Sequence, residues 1–228
     1  MKRISPDKYT VAWFKLSEVI SRGEKERALG MYRLLAHSLD NSAFAKQLEG
    51  DILLFFNDNA AYEKYREAVA LYIHQERYAE AIMTYEHLLS IGVQPTQKQQ
   101  TDLVSWYCKL KQYDKARQRA EQMLNDGIKN KNWSDVTDII MLVKTVLPFD
   151  TWLCAMQQHI IERAIELQAD STIVLPYITS FLTELVAANS AHAMHQLLTY
   201  LRTTNTDYYQ KACELIGSED KQFVSSNE

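Results

Sequence analysis

Turn-forming residues are scarce in this chain, and that scarcity limits its fold more than any other feature. Six Gly and four Pro are spread over 228 residues, about 4% against roughly 12% in average proteins. An all-β protein needs turn residues at intervals of roughly 8 to 12 positions. A Rossmann-like protein needs a glycine-rich loop after its first strand. Neither demand is met, so long helices joined by short connections are expected. The chain is also long enough to bury a core without disulfides or structural metal. The same shortage weighs against nucleotide-binding enzymes, whose phosphate loops are built of glycine.

Charge narrows the partner. Lys plus Arg is 25 and Asp plus Glu is 29, a net charge of −4 with a pI near 5.9, where a nucleic-acid binder shows a basic field. The most basic stretch, Lys109, Lys111, Lys115, Arg117 and Arg119, is interrupted by Asp114 and Glu121 and reads as a solvated helix face. No nucleic acid is expected. Cys108, Cys154 and Cys213 lie too far apart for a C-x-x-C motif and are odd in number, which fits a reducing compartment. Met1-Lys2-Arg3-Ile4 is not followed by an apolar h-region. The longest aliphatic run, Ile139-Ile140-Met141-Leu142-Val143, is far short of the ~20 residues a bilayer requires. A cytoplasmic chain without membrane insertion is expected.

Apolar residues recur with a 3.6-residue period in twelve segments: 8–21, 24–38, 43–56, 60–75, 78–91, 96–110, 113–126, 133–146, 151–168, 173–188, 191–203 and 206–216. Asp40-Asn41-Ser42 reads as a turn with an N-cap. Gly23, Gly92 with Pro95, Gly127 and Pro148 read as stops. Pro176 falls in the first turn of its segment, where a missing N–H costs little. From 218 the chain is polar and is expected to be a disordered tail. Three regions follow: helical repeats over 1–128, further helices over 129–217, and the tail over 218–228.

Two stretches superimpose at an offset of 35 residues. Tyr72 falls on Tyr107, Tyr78 on Tyr113, Ala81 on Ala116, Leu88 on Met123 and Leu89 on Leu124. Small Ala81 and Ala116 suit the point where a second helix crosses the first closely, and the larger residues fill the space between. Such a pair cannot bury its apolar stripe alone, so pairs stack. These positions resemble the tetratricopeptide repeat family over about residues 9–128, with a degenerate first copy at Trp13, Leu16, Ala28, Tyr32 and Leu35. The resemblance implies an all-α fold, a right-handed α-α superhelix of antiparallel helix pairs, with irregular helices towards the C-terminus. Ser17, Val69 and Val104 stand where the family carries a packing Gly. The helix at 60–75 fits two roles, second helix after 43–56 and first helix before 78–91. Beyond Pro148 the 35-residue phase is lost.

Motifs for catalysis are missing. There is no Gly-rich phosphate loop, G-x-S-x-G, H-E-x-x-H or EF-hand pattern. His192-x-x-His195 places two imidazoles on one helix face with no evident third ligand. Cys108 and His74 lack an orienting group. Trp13, Trp106, Trp133 and Trp152 read mostly as core. No cofactor, no metal and no enzymatic activity are expected. The resemblance implies instead that first helices line a concave groove for a peptide or helix of a partner protein. By position that groove is lined by Arg66, Ala70, Ile73 and His74, then by Thr101, Asp102, Ser105, Cys108 and Lys109. Some relatives in that family clamp a C-terminal carboxylate. Arg66 and Ala70 stand where that clamp needs other groups, so chaperone-tail recognition is disfavoured. Two alternatives stay open: a helical subunit buried permanently in a complex or homodimer, through segments such as Ile173-Val174-Leu175 and Phe181-Leu182, or an enzyme or nucleic-acid-binding protein.

Overall fold

A computed structural model describes the backbone of residues 6–39 and 41–225, and the side chains of 11–39 and 41–217. Among these residues there are twelve helices and no strand. They are α1 (Pro6–Ser21), α2 (Lys25–Ala36), α3 (Ser42–Phe55), α4 (Ala60–His74), α5 (Tyr78–Ser90), α6 (Gln97–Lys109), α7 (Tyr113–Lys129), α8 (Trp133–Val146), α9 (Thr151–Glu166), α10 (Ser171–Ala187), α11 (Ala191–Thr204) and α12 (Thr206–Ser225). Every helix expected from periodicity is present.

The connections explain how so few glycines suffice. Eight helices end on a residue with positive φ: Gly23, Asn57, Glu76, Gly92, Lys111, Lys131, Gln168 and Asn189. Each makes the same pair of bonds, as at Glu76, whose N–H reaches Ile73 O at 2.9 Å while Arg77 N–H reaches Tyr72 O at 2.9 Å. This is the Schellman arrangement, which satisfies the last carbonyls of a helix and reverses the chain within three residues. Within one compact unit, a connection that short makes sequential helices antiparallel neighbours. Only two of the eight are Gly, and a non-Gly residue with left-handed backbone costs about 1–2 kcal/mol. Glu76→Gly is therefore expected to stabilise the chain by about 0.5–1 kcal/mol, after the added freedom of unfolded Gly is subtracted. Urea denaturation measures it. Ala70→Gly in the middle of α4 should cost about 1 kcal/mol instead, so a loss at both sites contradicts the turn assignment.

Helix starts are set by side chains. Asn41 caps α3 by accepting from Ala43 N and Phe44 N, and Thr96 and Gln99 form a capping box on α6. Asp150 and Asp170 cap α9 and α10. Asp40, read as part of the turn before α3, lies outside the described residues.

Three expectations are corrected. Gly127 does not stop a helix: it is buried inside α7, and the chain turns at Lys131 with φ 55°. Pro176 is not in a first turn, because α10 begins at Ser171, capped by Asp170, which makes Pro176 its sixth residue. Helix α12 runs on through Ser225, past the stop expected at 216, because Gly217 does not adopt positive φ and no proline follows it. Residues 226–228 lie outside the described residues.

The chain divides into two compact units, Met1–Gln112 and Tyr113–Glu228. The boundary between these units lies between α6 and α7, the two helices of the stretch 97–130. In the first unit α4 serves both neighbours. A Cβ added to Gly50 of α3 would lie 3.0 Å from the Tyr65 ring of α4, so glycine lets these helices close together. On the other side Ala68 and Tyr72 pack with Ala81 of α5, and Ala43 of α3 completes the cluster. In the second unit α7 belongs with α8. A Cβ on Gly127 would meet Val136 Cγ2 at 2.8 Å. Beyond them α9, α10, α11 and α12 share one core around Ile161, Ile178, Phe181, Leu197 and Ala212.

Candidate interaction site

On α4 the expected groove residues Arg66, Ala70 and His74 recur every four positions and are exposed. Arg66 reaches Glu63 at 3.4 Å on its own helix. Ile73 points elsewhere: it is half-buried against the Ala43, Ala68, Tyr72 and Ala81 cluster. On α6, Thr101, Asp102, Ser105 and Cys108 are half-buried, and Lys109 is exposed. The Thr101 hydroxyl donates to Lys98 O at 2.8 Å, and that of Ser105 to Thr101 O at 3.2 Å. Burial raises both the Asp102 carboxyl and the Cys108 thiol above their ordinary values. A raised thiol stays protonated at neutral pH and is a weak nucleophile. The stripe on α4 is thus open to solvent, and that on α6 is partly withdrawn.

Beneath these stripes, tyrosines tie the first unit together. Tyr65 donates to Asp51 at 2.7 Å, Tyr72 to Gln47 at 2.9 Å, and Tyr107 to Glu86. Lys46 and Lys64 bracket Glu67 at 2.6 and 3.3 Å. The hydrogen bond from Lys46 holds the Glu67 carboxyl below the usual range, with Lys64 adding to it. These groups brace α3 against α4.

The second unit presents a different surface. Trp133, Thr137, Ile140, Met141 and Lys144 recur along one side of α8, and Ile173, Pro176, Tyr177 and Ser180 along one side of α10. Between them lies an open groove of about 480 Å³. Two bridges set its width and show that α8 and α10 run parallel. Near the helix starts, the Tyr177 hydroxyl lies 2.7 Å from Thr137 Oγ1 and donates to Trp133 O at 3.3 Å. Further on, Lys144 Nζ donates to Ser180 Oγ at 2.9 Å and pairs with Glu184 at 2.5 Å. Gln157, a buried polar residue on α9, donates its amide to Glu184 Oε2 at 2.8 Å. Lys144 is thereby neutralised. Thr137, Tyr177, Lys144 and Ser180 are thus engaged within the groove, while Ser134 and Thr172 at its start are exposed, and Met141, 58% exposed, makes much of the open face apolar.

The apolar segments thought available for burial in an assembly are largely used internally. Val174, Phe181 and Leu182 are at most 2% exposed. His192 and His195 are both exposed. His192 borders a second opening, of about 500 Å³, together with Asp150 and Cys154. Among the described residues no group of three or more His, Cys, Asp or Glu is placed to hold a metal ion. No described helix is long and apolar enough to cross a membrane. No known family model matches the sequence, and no curated protein matches it.

Sequence reasoning missed the α8/α10 groove. The spacing of Trp133, Thr137, Ile140, Met141 and Lys144 was visible as one stripe. What was not visible is that α10, some 40 residues later, lies alongside without covering it.

Proposed function

We propose that the chain is a non-catalytic protein-interaction module, built of tetratricopeptide-like helix pairs stacked as a right-handed solenoid, that binds a peptide or helix of a partner protein. The observation that carries this reading is the open apolar groove between α8 and α10, framed by two rigid parallel helices. A preformed site of this kind loses little ordering entropy on binding. The repeating turn in the first unit supports stacked helix pairs: Gly23, Asn57 and Gly92, after α1, α3 and α5, follow one another at 34 and 35 residues, and Glu76 and Lys111, after α4 and α6, are also 35 apart, the spacing of two-helix repeats. Gly50 and Gly127 supply the close helix approach that the family obtains from its own packing glycine. A cytoplasmic setting agrees with three unpaired cysteines.

The exposed stripe of α4 and the partly withdrawn stripe of α6 are the other half of the proposal, with Arg66 and Lys109 as their solvent-facing cations. The experiment is affinity capture from lysate by the intact chain, compared with the Arg66→Glu/Lys109→Glu double variant. Both side chains are exposed, so the variant should fold. Selective loss of the specific partners is expected. Equal recovery by wild type and variant would remove the α4/α6 face from the proposal.

A second reading, a subunit buried in a complex or homodimer, is favoured by Phe14 and Leu34 on α1 and α2, which are 73% and 77% exposed. A stable dimer by light scattering would bring this reading forward.

A further inference from the structure

We propose that the α8/α10 groove takes one amphipathic helix of a partner protein, apolar on the buried face and carrying a Lys or Arg against Asp138. This rests on the reading of the chain as an interaction module and adds the occupant.

A helix fits for three reasons. The lining of α8 runs from Trp133 to Lys144, about 16 Å at ~1.5 Å per residue, which matches three turns of an incoming helix. Such a helix presents anchors at i, i+4 and i+7, the usual pattern of helix-in-groove recognition. The third reason is decisive. The Tyr177 and Thr137 hydroxyls hold each other, and Lys144 is held by Ser180 and Glu184. An extended peptide would bury backbone N–H and C=O groups against walls whose polar groups, apart from the exposed Ser134 and Thr172 at one end, are already engaged, leaving most of them unpaired at a cost of about 1–3 kcal/mol each. A helix satisfies its own backbone and brings only side chains.

Charge selects the flank. Asp138 stands one turn from Met141 and close enough to the Tyr177 phenol to bear on its ionisation. It is exposed and joins no ion pair among the described residues. On the α10 rim Thr172, Thr179 and Thr183 are exposed and uncharged. Lys144 is cancelled by Glu184. Asp138 is therefore a negative charge without an ion-pair partner among the described residues beside the middle of the groove, and a cation on the partner complements it.

Three labelled synthetic peptides of about 16 residues test this by fluorescence anisotropy on the intact chain. One has an apolar face with Lys flanks, one the same face with Glu flanks, and one the Lys sequence broken by a central Pro. The Lys peptide should bind, with the Glu and Pro peptides at least about tenfold weaker. Met141→Glu should weaken the Lys peptide at least about tenfold, and Asp138→Lys should reverse the preference between Lys and Glu flanks. Both side chains are exposed, so melting temperatures should match wild type. Equal binding of all three peptides overturns the proposal, as does an unchanged preference in Asp138→Lys. Concentration-dependent self-association abolished by Met141→Glu overturns it in favour of a second copy of the chain. If the peptides fail while lysate capture still succeeds through Arg66 and Lys109, the groove proposal falls and the interaction reading stands.

Discussion

A Tyr65→Ala chain should lose about 3–5 kcal/mol of stability, the cost of removing a large buried aromatic ring. No part of Tyr65 is exposed. Its ring fills the approach of α3 to α4 at Gly50 and meets the His87 ring edge-on at 5.1 Å. One side chain thus joins three helices. Burial, with Asp51 adding to it, pushes the phenol pKa up, so the hydroxyl keeps its proton and can donate to Asp51 at neutral pH. Tyr65→Phe keeps the ring and removes that bond. Asp51 is exposed and turns to water, so the loss should be only about 0.5–1.5 kcal/mol. Chemical denaturation of both variants measures the contrast. If Tyr65→Ala costs no more than Tyr65→Phe, the ring does not hold α3, α4 and α5 together.

The second large effect is at the α7/α8 crossing and has an unusual sign pattern. Alanine in place of glycine inside a helix ordinarily stabilises by about 1 kcal/mol. At Gly127 the new methyl would lie 2.8 Å from Val136 Cγ2, and Val136 is itself fully buried. Overpacking of this kind costs about 1–3 kcal/mol, so Gly127→Ala should be destabilising on balance, and Gly127→Leu severely so. Val136→Ala removes the colliding methyls and leaves a cavity, which costs stability by itself. In that background Gly127→Ala should become stabilising. The double-mutant cycle reads this coupling directly, and additive effects would place the two residues apart.

The helices were legible because their apolar periodicity is strong and few glycines or prolines interrupt it. Their ends were less so. Lys111, Lys131 and Gln168 take a left-handed backbone, and nothing in those residue types announces it, whereas Gly127 looks like a stop and is a packing residue. Gly50 was overlooked for a related reason: its task depends on Tyr65 arriving from the next helix. Arg66, Ala70 and His74 share an exposed stripe of α4, as the periodicity of one helix alone decides. Ile73 is half-buried, because its surroundings depend on Tyr72 and on Ala81 of another helix. The α8/α10 groove needs contacts between residues some 40 positions apart, such as Thr137 with Tyr177, which no local pattern encodes.

Once lysate capture has supplied a partner, calorimetric titration of that purified protein into the intact chain tests the central claim most directly. The account predicts saturable binding, with affinity reduced at least about tenfold by Met141→Glu or by Arg66→Glu/Lys109→Glu, and unchanged melting temperatures in those variants. Undiminished affinity in both variants would contradict it, because no face described here would then be the one that binds.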